Sequence, residues 1–269
     1  MYFFYINFQE TLLRNILLTI SYDGTDFCGW QRQDFADKGR AVRTVQQTVE
    51  DALEKLHKQK IALQGSGRTD SGVHAFAQAA NFFSPIDSIP VEKYPVALNC
   101  FLPDDVRIMD AKVVQDDFSS RKNATSRVYR YFINTGNPQA SQMRYVWPIY
   151  YKPDIKTLNE MALCLRGEID CSTFAAAGDA SVSTFRYIDD AHFFYEGENL
   201  VFQIEANAFL WKMVRSITGS LIHFERMGKD AGYFKKVVES CDRKKAGPTA
   251  PAKGLFLYEI KFDGIRRHV

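Results

Sequence analysis

The chain has 269 residues, 46% of them hydrophobic and 25% charged, a composition that supports a large buried core and one sizeable domain or two smaller ones. Lys and Arg number 34 against 32 Asp and Glu, so the net charge of +2 neither requires nor excludes a polyanionic partner, and the placement of the bases has to decide. The five cysteines are scattered and form no CxxC pair, which excludes a disulfide framework and a zinc cluster and points to a reducing cytoplasm.

The opening twenty residues are apolar. Asn7, Gln9, Glu10, Arg14 and Asn15 interrupt them too often for a membrane span, and no basic leader or small-residue cleavage site accompanies them. Residues 1–14 therefore read as an N-terminal extension, and no membrane association is expected. "NILLTISY" reads as a buried strand, followed by the loop "DGTDFCGWQRQD" and a helix that sets Val45, Val49, Ala52, Leu53 and Leu56 on one face. "IALQGS" and "AQAANFF" read as strands around a glycine-rich turn, then come a Pro-interrupted helix at "VEKYPVALNCFL" and a strand at "VRIMDAKVV".

The order of this first half, residues 15–115, is β-α-β-β-α-β. A second half, 116–269, opens with "ATSRVYRYFINT", where Val128, Arg130 and Phe132 alternate with Tyr129, Tyr131 and Ile133 to give a strand with two unlike faces. A helix at "IKTLNEMALCLRG", a hairpin turning at residues 196–199, a long helix capped by Asn207, a further helix at "AGYFKKVVESCD" and a final strand "GLFLYEIKF" complete it. The fold expected is α+β: two ferredoxin-like or RRM-like halves sharing a mixed, mostly antiparallel sheet, helices on one side, with a central cleft.

The turn "GSGRTDSGVHA", residues 65–75, concentrates chemistry. It lacks the lysine of a phosphate-binding GxxxxGK[ST] loop, and Gly65, Gly67 and Gly72 do not satisfy GxGxxG, so nucleotide-binding readings fall. On its own, Asp70 in "TDSG" reads more readily as a turn residue whose carboxylate bonds the backbone of Ser71 or Gly72. By themselves Arg215 reads as an exposed helix arginine and Tyr129 as a core aromatic.

Five segments in order change that weighting. "YDGTDFCGWQRQ", "GSGRTDSGVHA", "RVYRYFI", "NAFLWKMVRSITGSL" and "KGLFLYEIKF" together resemble the signature segments of the TruA family of tRNA pseudouridine synthases. The resemblance implies isomerisation of uridine to pseudouridine in the tRNA anticodon stem-loop, nucleotide positions 38 to 40, by a cytoplasmic homodimer that needs no cofactor and no metal. It implies that Asp70 is the nucleophile, that Arg215 pairs with it, and that Tyr129 stacks on the target uracil and serves as a candidate base for the C5 proton. A guanidinium is suited to the pairing because it favours the ionised carboxylate and does not lose its own proton.

Arg68 would fill the space left by an everted base, and the glycines would let RNA backbone approach. Gln31, Arg32, Arg43, Arg121, Lys122, Arg127 and Arg130 are the further RNA contacts expected, and His74 has a local hydrogen-bonding role. Three stretches depart from the family pattern: 34–43 is longer than usual, "LWK" at 210–212 replaces paired His or Arg residues, and the stretch between Phe174 and Arg186 is poorly matched. The competing readings are a catalytically idle RNA-binding module on the same fold, the same isomerase acting on a different RNA and, more remotely, a nucleotide-dependent enzyme.

Overall fold

The structure is a computed structural model that describes residues 13–33 and 42–267; most of the expected N-terminal extension and most of the long 34–43 stretch lie outside the described residues. The elements in order are β1 (Arg14–Tyr22), α1 (Val45–His57), β2 (Gln64–Gly65), β3 (His74–Ser84), α2 (Tyr94–Asn99), β4 (Val106–Val113), β5 (Ser126–Asn134), β6 (Trp147–Pro148), α3 (Ile155–Leu163), β7 (Gly167–Asp170), β8 (Phe185–Glu196), β9 (Asn199–Ala206), α4 (Met213–Arg226), α5 (Ala231–Glu239) and β10 (Leu255–Lys261).

Local chemistry sets most boundaries. Thr44 caps α1 through the Gln47 amide, Asp154 caps α3 through Lys156, and Asp230 caps α5 through Tyr233, each satisfying an otherwise orphaned helix N–H. The expected Asn207 cap is not formed. Asn207 Oδ1 instead accepts from the Tyr187 and Ala208 amides, and α4 starts six residues later, behind Lys212 in the left-handed region at φ 58°. The short strands β6 and β7 add to the elements expected from the sequence.

All ten strands join in one sheet of order β4-β1-β3-β10-β5-β9-β8-β7, with β2 added beside β3 and β6 beside β5. Pairing is antiparallel except for β10 with β3 and β5 with β6. The last strand thus lies at the centre, where Phe256 and Leu257 pair with His74 and Ala75 on one side and with Arg130 and Tyr129 on the other.

The core has two clusters, and β10 shows how they are arranged. Leu255 belongs to the cluster of α3, α4 and α5, while Leu257, two residues on and therefore on the same face of the strand, belongs to that of α1 and α2. Both helical groups consequently cover one face of the sheet. Tyr129, on β5 beside Leu257, packs against both clusters and marks the line between them. On the other face Phe76, Phe132, Phe256 and Tyr258 stack edge-on and face-on with ring centroids 4.9–5.7 Å apart.

Candidate active site

The turn after β2 is held rigidly by the loop that follows β1. Trp30 N–H donates to the Thr69 carbonyl (3.2 Å), Ser71 Oγ and the Gly72 amide donate to the Phe27 carbonyl (3.1 and 3.3 Å), and Tyr22 and Thr69 share a hydroxyl hydrogen bond of 2.8 Å. Gly72 takes φ +75°, a conformation that side chains disfavour, and a Cβ on Gly65 would meet the Trp30 indole nitrogen at 2.5 Å. Gly67 differs from both. Nothing lies within 4 Å of where its Cβ would stand, so its surroundings are open.

At the end of this turn Asp70 meets α4. Arg215 Nη1 donates to Asp70 Oδ2 at 3.1 Å across 145 residues of sequence, and both side chains are only slightly exposed, 15% and 20%. A partly desolvated, charge-assisted pair of this kind is stronger than a surface ion pair. The guanidinium is itself fixed from behind, since Nε donates to the Ala250 carbonyl at 2.9 Å. The 247–251 loop that carries Ala250 is held in turn by Tyr131, whose hydroxyl donates to the Pro251 carbonyl at 2.6 Å.

Tyr129 stands in the same place between the two cores. Burial pushes its phenol well above the usual tyrosine value, and the Asp70 carboxylate pushes it further in the same direction, while Arg127 opposes both. Such a phenol stays protonated at neutral pH, so it offers an aromatic face and a hydroxyl, not a standing phenolate base. Phe209 of the "NAFLWK" segment meets its ring edge-on at 5.1 Å.

Arg68 is exposed and makes no hydrogen bond or ion pair among the described residues. Arg127, half-buried on the same face of β5 as Tyr129, donates to the carbonyls of Asn207 (2.7 Å), Arg121 (3.3 Å), Ala124 (3.4 Å) and Ser66 (3.5 Å), which places it beside the turn that carries Asp70. Gln31 and Arg32 are exposed at the outer loop, where Gln31 donates to Gln46 (2.7 Å) and Arg32 to Glu50 (3.2 Å). Arg43 is engaged elsewhere, held by both oxygens of Asp105 at 2.6 and 2.8 Å and stacked over Phe27.

Arg130 is not brought to the Asp70–Arg215 pair. Strand alternation turns it to the opposite face, over the Tyr258 ring at 3.6 Å and against Gln203 at 2.8 Å. Two cavities on that face, lined by Phe76, Phe132, Tyr258 and Tyr145 among others, do not include Asp70. His74 is fully buried. Burial outweighs the nearby Asp23 carboxylate and holds its pKa below the usual value, so the ring is neutral, accepting from the Gly24 amide at Nδ1 (3.0 Å) and donating from Nε2 to the Arg144 carbonyl (3.2 Å). Its work is to pin the loop after β1, and its 3.1 Å approach to Asp23 is a contact of a neutral ring.

Sequence reasoning missed the bracing loop at 247–251 and Arg266, which the C-terminal segment returns to the neighbourhood of Arg127. The "GPTAP" composition signals a loop, but nothing in it says which helix it packs on.

A family model described as tRNA pseudouridine synthase matches residues 18–121 and 161–263. The chain is 54% identical over 250 residues to a Treponema denticola protein named tRNA pseudouridine synthase A, covering 93% of each chain. It is 47% identical over 237 residues to a Treponema pallidum protein of that name, covering 88% of this chain and 84% of the relative. A Brachyspira hyodysenteriae protein of the same name is 39% identical over 254 residues, covering 93% and 99%. The matched segments contain Asp70 and Arg215, and a match of this extent and identity makes the chain a member of the tRNA pseudouridine synthase family.

Proposed function

We propose that this chain isomerises uridine to pseudouridine in the anticodon stem-loop of tRNA, at positions 38 to 40, with Asp70 as nucleophile. The observation that carries the reading is the 3.1 Å pair between Asp70 and Arg215, on the sheet face where the two helical groups meet. The Asp70 carboxylate adds to C6 of the base or to C1′ of the sugar, and the bond from N1 to C1′ breaks. The base turns over, C5 bonds to C1′, the carboxylate is expelled, and the proton on C5 is lost while N1 gains one. Atoms and electrons balance without oxidant, reductant or metal.

Arg215 keeps the carboxylate charged and aimed, Tyr129 stacks on the everted uracil, and Arg68, exposed at the lip of the turn, occupies the space the base leaves. Gln31, Arg32 and Arg127 hold RNA on either side of the turn. The protein acts as a cytoplasmic homodimer, one subunit gripping the tRNA while the other presents its cleft. The free state of all five cysteines is in keeping with a reducing compartment, and among the described residues no helix is long and apolar enough to cross a membrane. Incubating the protein with an unmodified tRNA and mapping pseudouridine at each nucleotide tests the assignment. New pseudouridine confined to positions 38 to 40 is expected, and modification only outside the anticodon arm overturns it.

A further inference from the structure

The C-terminal segment beyond β10 does not trail away. Thr125 Oγ donates to the Asp263 carbonyl at 2.6 Å, Asn207 Nδ2 donates to the Arg267 carbonyl at 3.1 Å, and the Arg267 guanidinium lies 3.9 Å over the Tyr187 ring with Asp189 at 3.5 Å. These ties hold the exposed Arg266 against the 121–127 stretch, where its Nη1 donates to the Lys122 carbonyl. Arg266 and Arg121 are both near enough to Arg127 to disfavour its charge further, after burial has already lowered its pKa.

Three bases, Arg121, Arg127 and Arg266, therefore lie close together beside the turn that carries Asp70, with the Lys122 carbonyl tying Arg266 to them. None of them has a carboxylate partner among the described residues. Arg127 is the sharpest case, a half-buried guanidinium whose every partner is a neutral carbonyl. Gathering like charges without a counter-ion is unfavourable in the free protein, and a bound anion relieves it. Arg127 reaches the Ser66 carbonyl, two residues before Arg68 and four before Asp70, so that anion lies beside the nucleotide being isomerised.

We propose that Arg266 from the C-terminal segment completes, with Arg121 and Arg127, a subsite for the backbone phosphate adjacent to the everted uridine. This rests on the functional reading above and adds to it a contact made by the C-terminal segment. Arg266 touches none of Asp70, Tyr129 and Arg215, so it grips substrate without entering the chemistry.

The test measures tRNA binding by the full-length protein across a range of salt, with single-turnover rates at saturating tRNA. Arg266→Gln should lower the slope of log affinity against log salt by about one and leave the saturated rate unchanged, while Arg266→Lys restores the slope. Exchanging the phosphate beside the target uridine for a neutral methylphosphonate should weaken the wild type more than Arg266→Gln, which has already lost one of the contacts to that phosphate. An unchanged slope in Arg266→Gln, or equal weakening of both proteins by the methylphosphonate, overturns the subsite while the wild-type rate still upholds the enzyme. A wild type that neither binds nor converts tRNA overturns the functional reading and this one with it.

Discussion

Arg215 and Ala250 are joined twice: the Ala250 amide donates to the Arg215 carbonyl at 3.0 Å, and Arg215 Nε donates to the Ala250 carbonyl at 2.9 Å. The guanidinium that meets Asp70 is therefore aimed by a loop that never touches the carboxylate. That loop lies directly on α4, where a Cβ on Gly219 would meet the Pro248 carbonyl oxygen at 1.9 Å. Gly219→Ala must displace the loop and carry Ala250 away from Arg215. Steady-state kinetics should show kcat down at least tenfold with tRNA affinity near wild type, alongside a stability loss of about 1–3 kcal/mol from overpacking. A variant with unaltered kcat would mean that the loop does not aim Arg215.

Arg215→Lys keeps the charge and loses the fork. A lysine ammonium has one point of attachment where the arginine holds Ala250 and Asp70 with separate nitrogens. Single-turnover measurement should show the rate lowered by about 10²-fold, in the range found when one preorganised electrostatic contact is removed from an active site. Wild-type rates in this variant would show that charge alone suffices.

Tyr129 separates stacking from proton transfer. In an Asp70→Asn background, which removes chemistry, Tyr129→Phe should bind tRNA within about twofold of its parent, because the ring remains. Tyr129→Ala should bind more weakly by about 1–3 kcal/mol, the usual worth of an aromatic on a base. Equal affinities for the Phe and Ala variants would remove the stacking assignment. Since burial and Asp70 both push the phenol upward, wild-type activity should show no rise that tracks phenolate formation near neutral pH.

Two buried histidines make stability depend on pH. Burial lowers the pKa of His74, and likewise that of His57, below the model-peptide value of 6.5. The unfolded chain therefore takes up protons near 6.5 that the folded chain still refuses. Stability is complete above that value and declines as pH falls through it toward the depressed folded values. The urea midpoint should drop between about pH 7.5 and about pH 5, and His74→Gln should drop less steeply. A midpoint that rises on acidification contradicts the neutral assignment.

Much of the site was legible because its pieces are local. The turn around Asp70 and the helix bearing Arg215 each carry their residues within a dozen positions, and the face of α1 follows from Val45, Val49 and Leu53. What escaped depends on distant pairing. No local pattern reveals that β10 enters between β3 and β5, yet that insertion sets both the line between the two cores and the position of Arg266. Asn207 has the right chemistry for a helix cap, but the Tyr187 amide from β8 competes successfully for its oxygen. Arg130 illustrates the reverse case: the alternation along β5 already separated it from Tyr129, and its charge alone had suggested RNA.

The central claim is that the Asp70 carboxylate is the group that attacks. Release of tritium to water from tRNA labelled at uridine C5 measures turnover directly. Wild type should release it from the anticodon arm, and Asp70→Asn, with the same fold and the same affinity for tRNA, should release none above background. Release by Asp70→Asn at a rate near wild type would contradict the account.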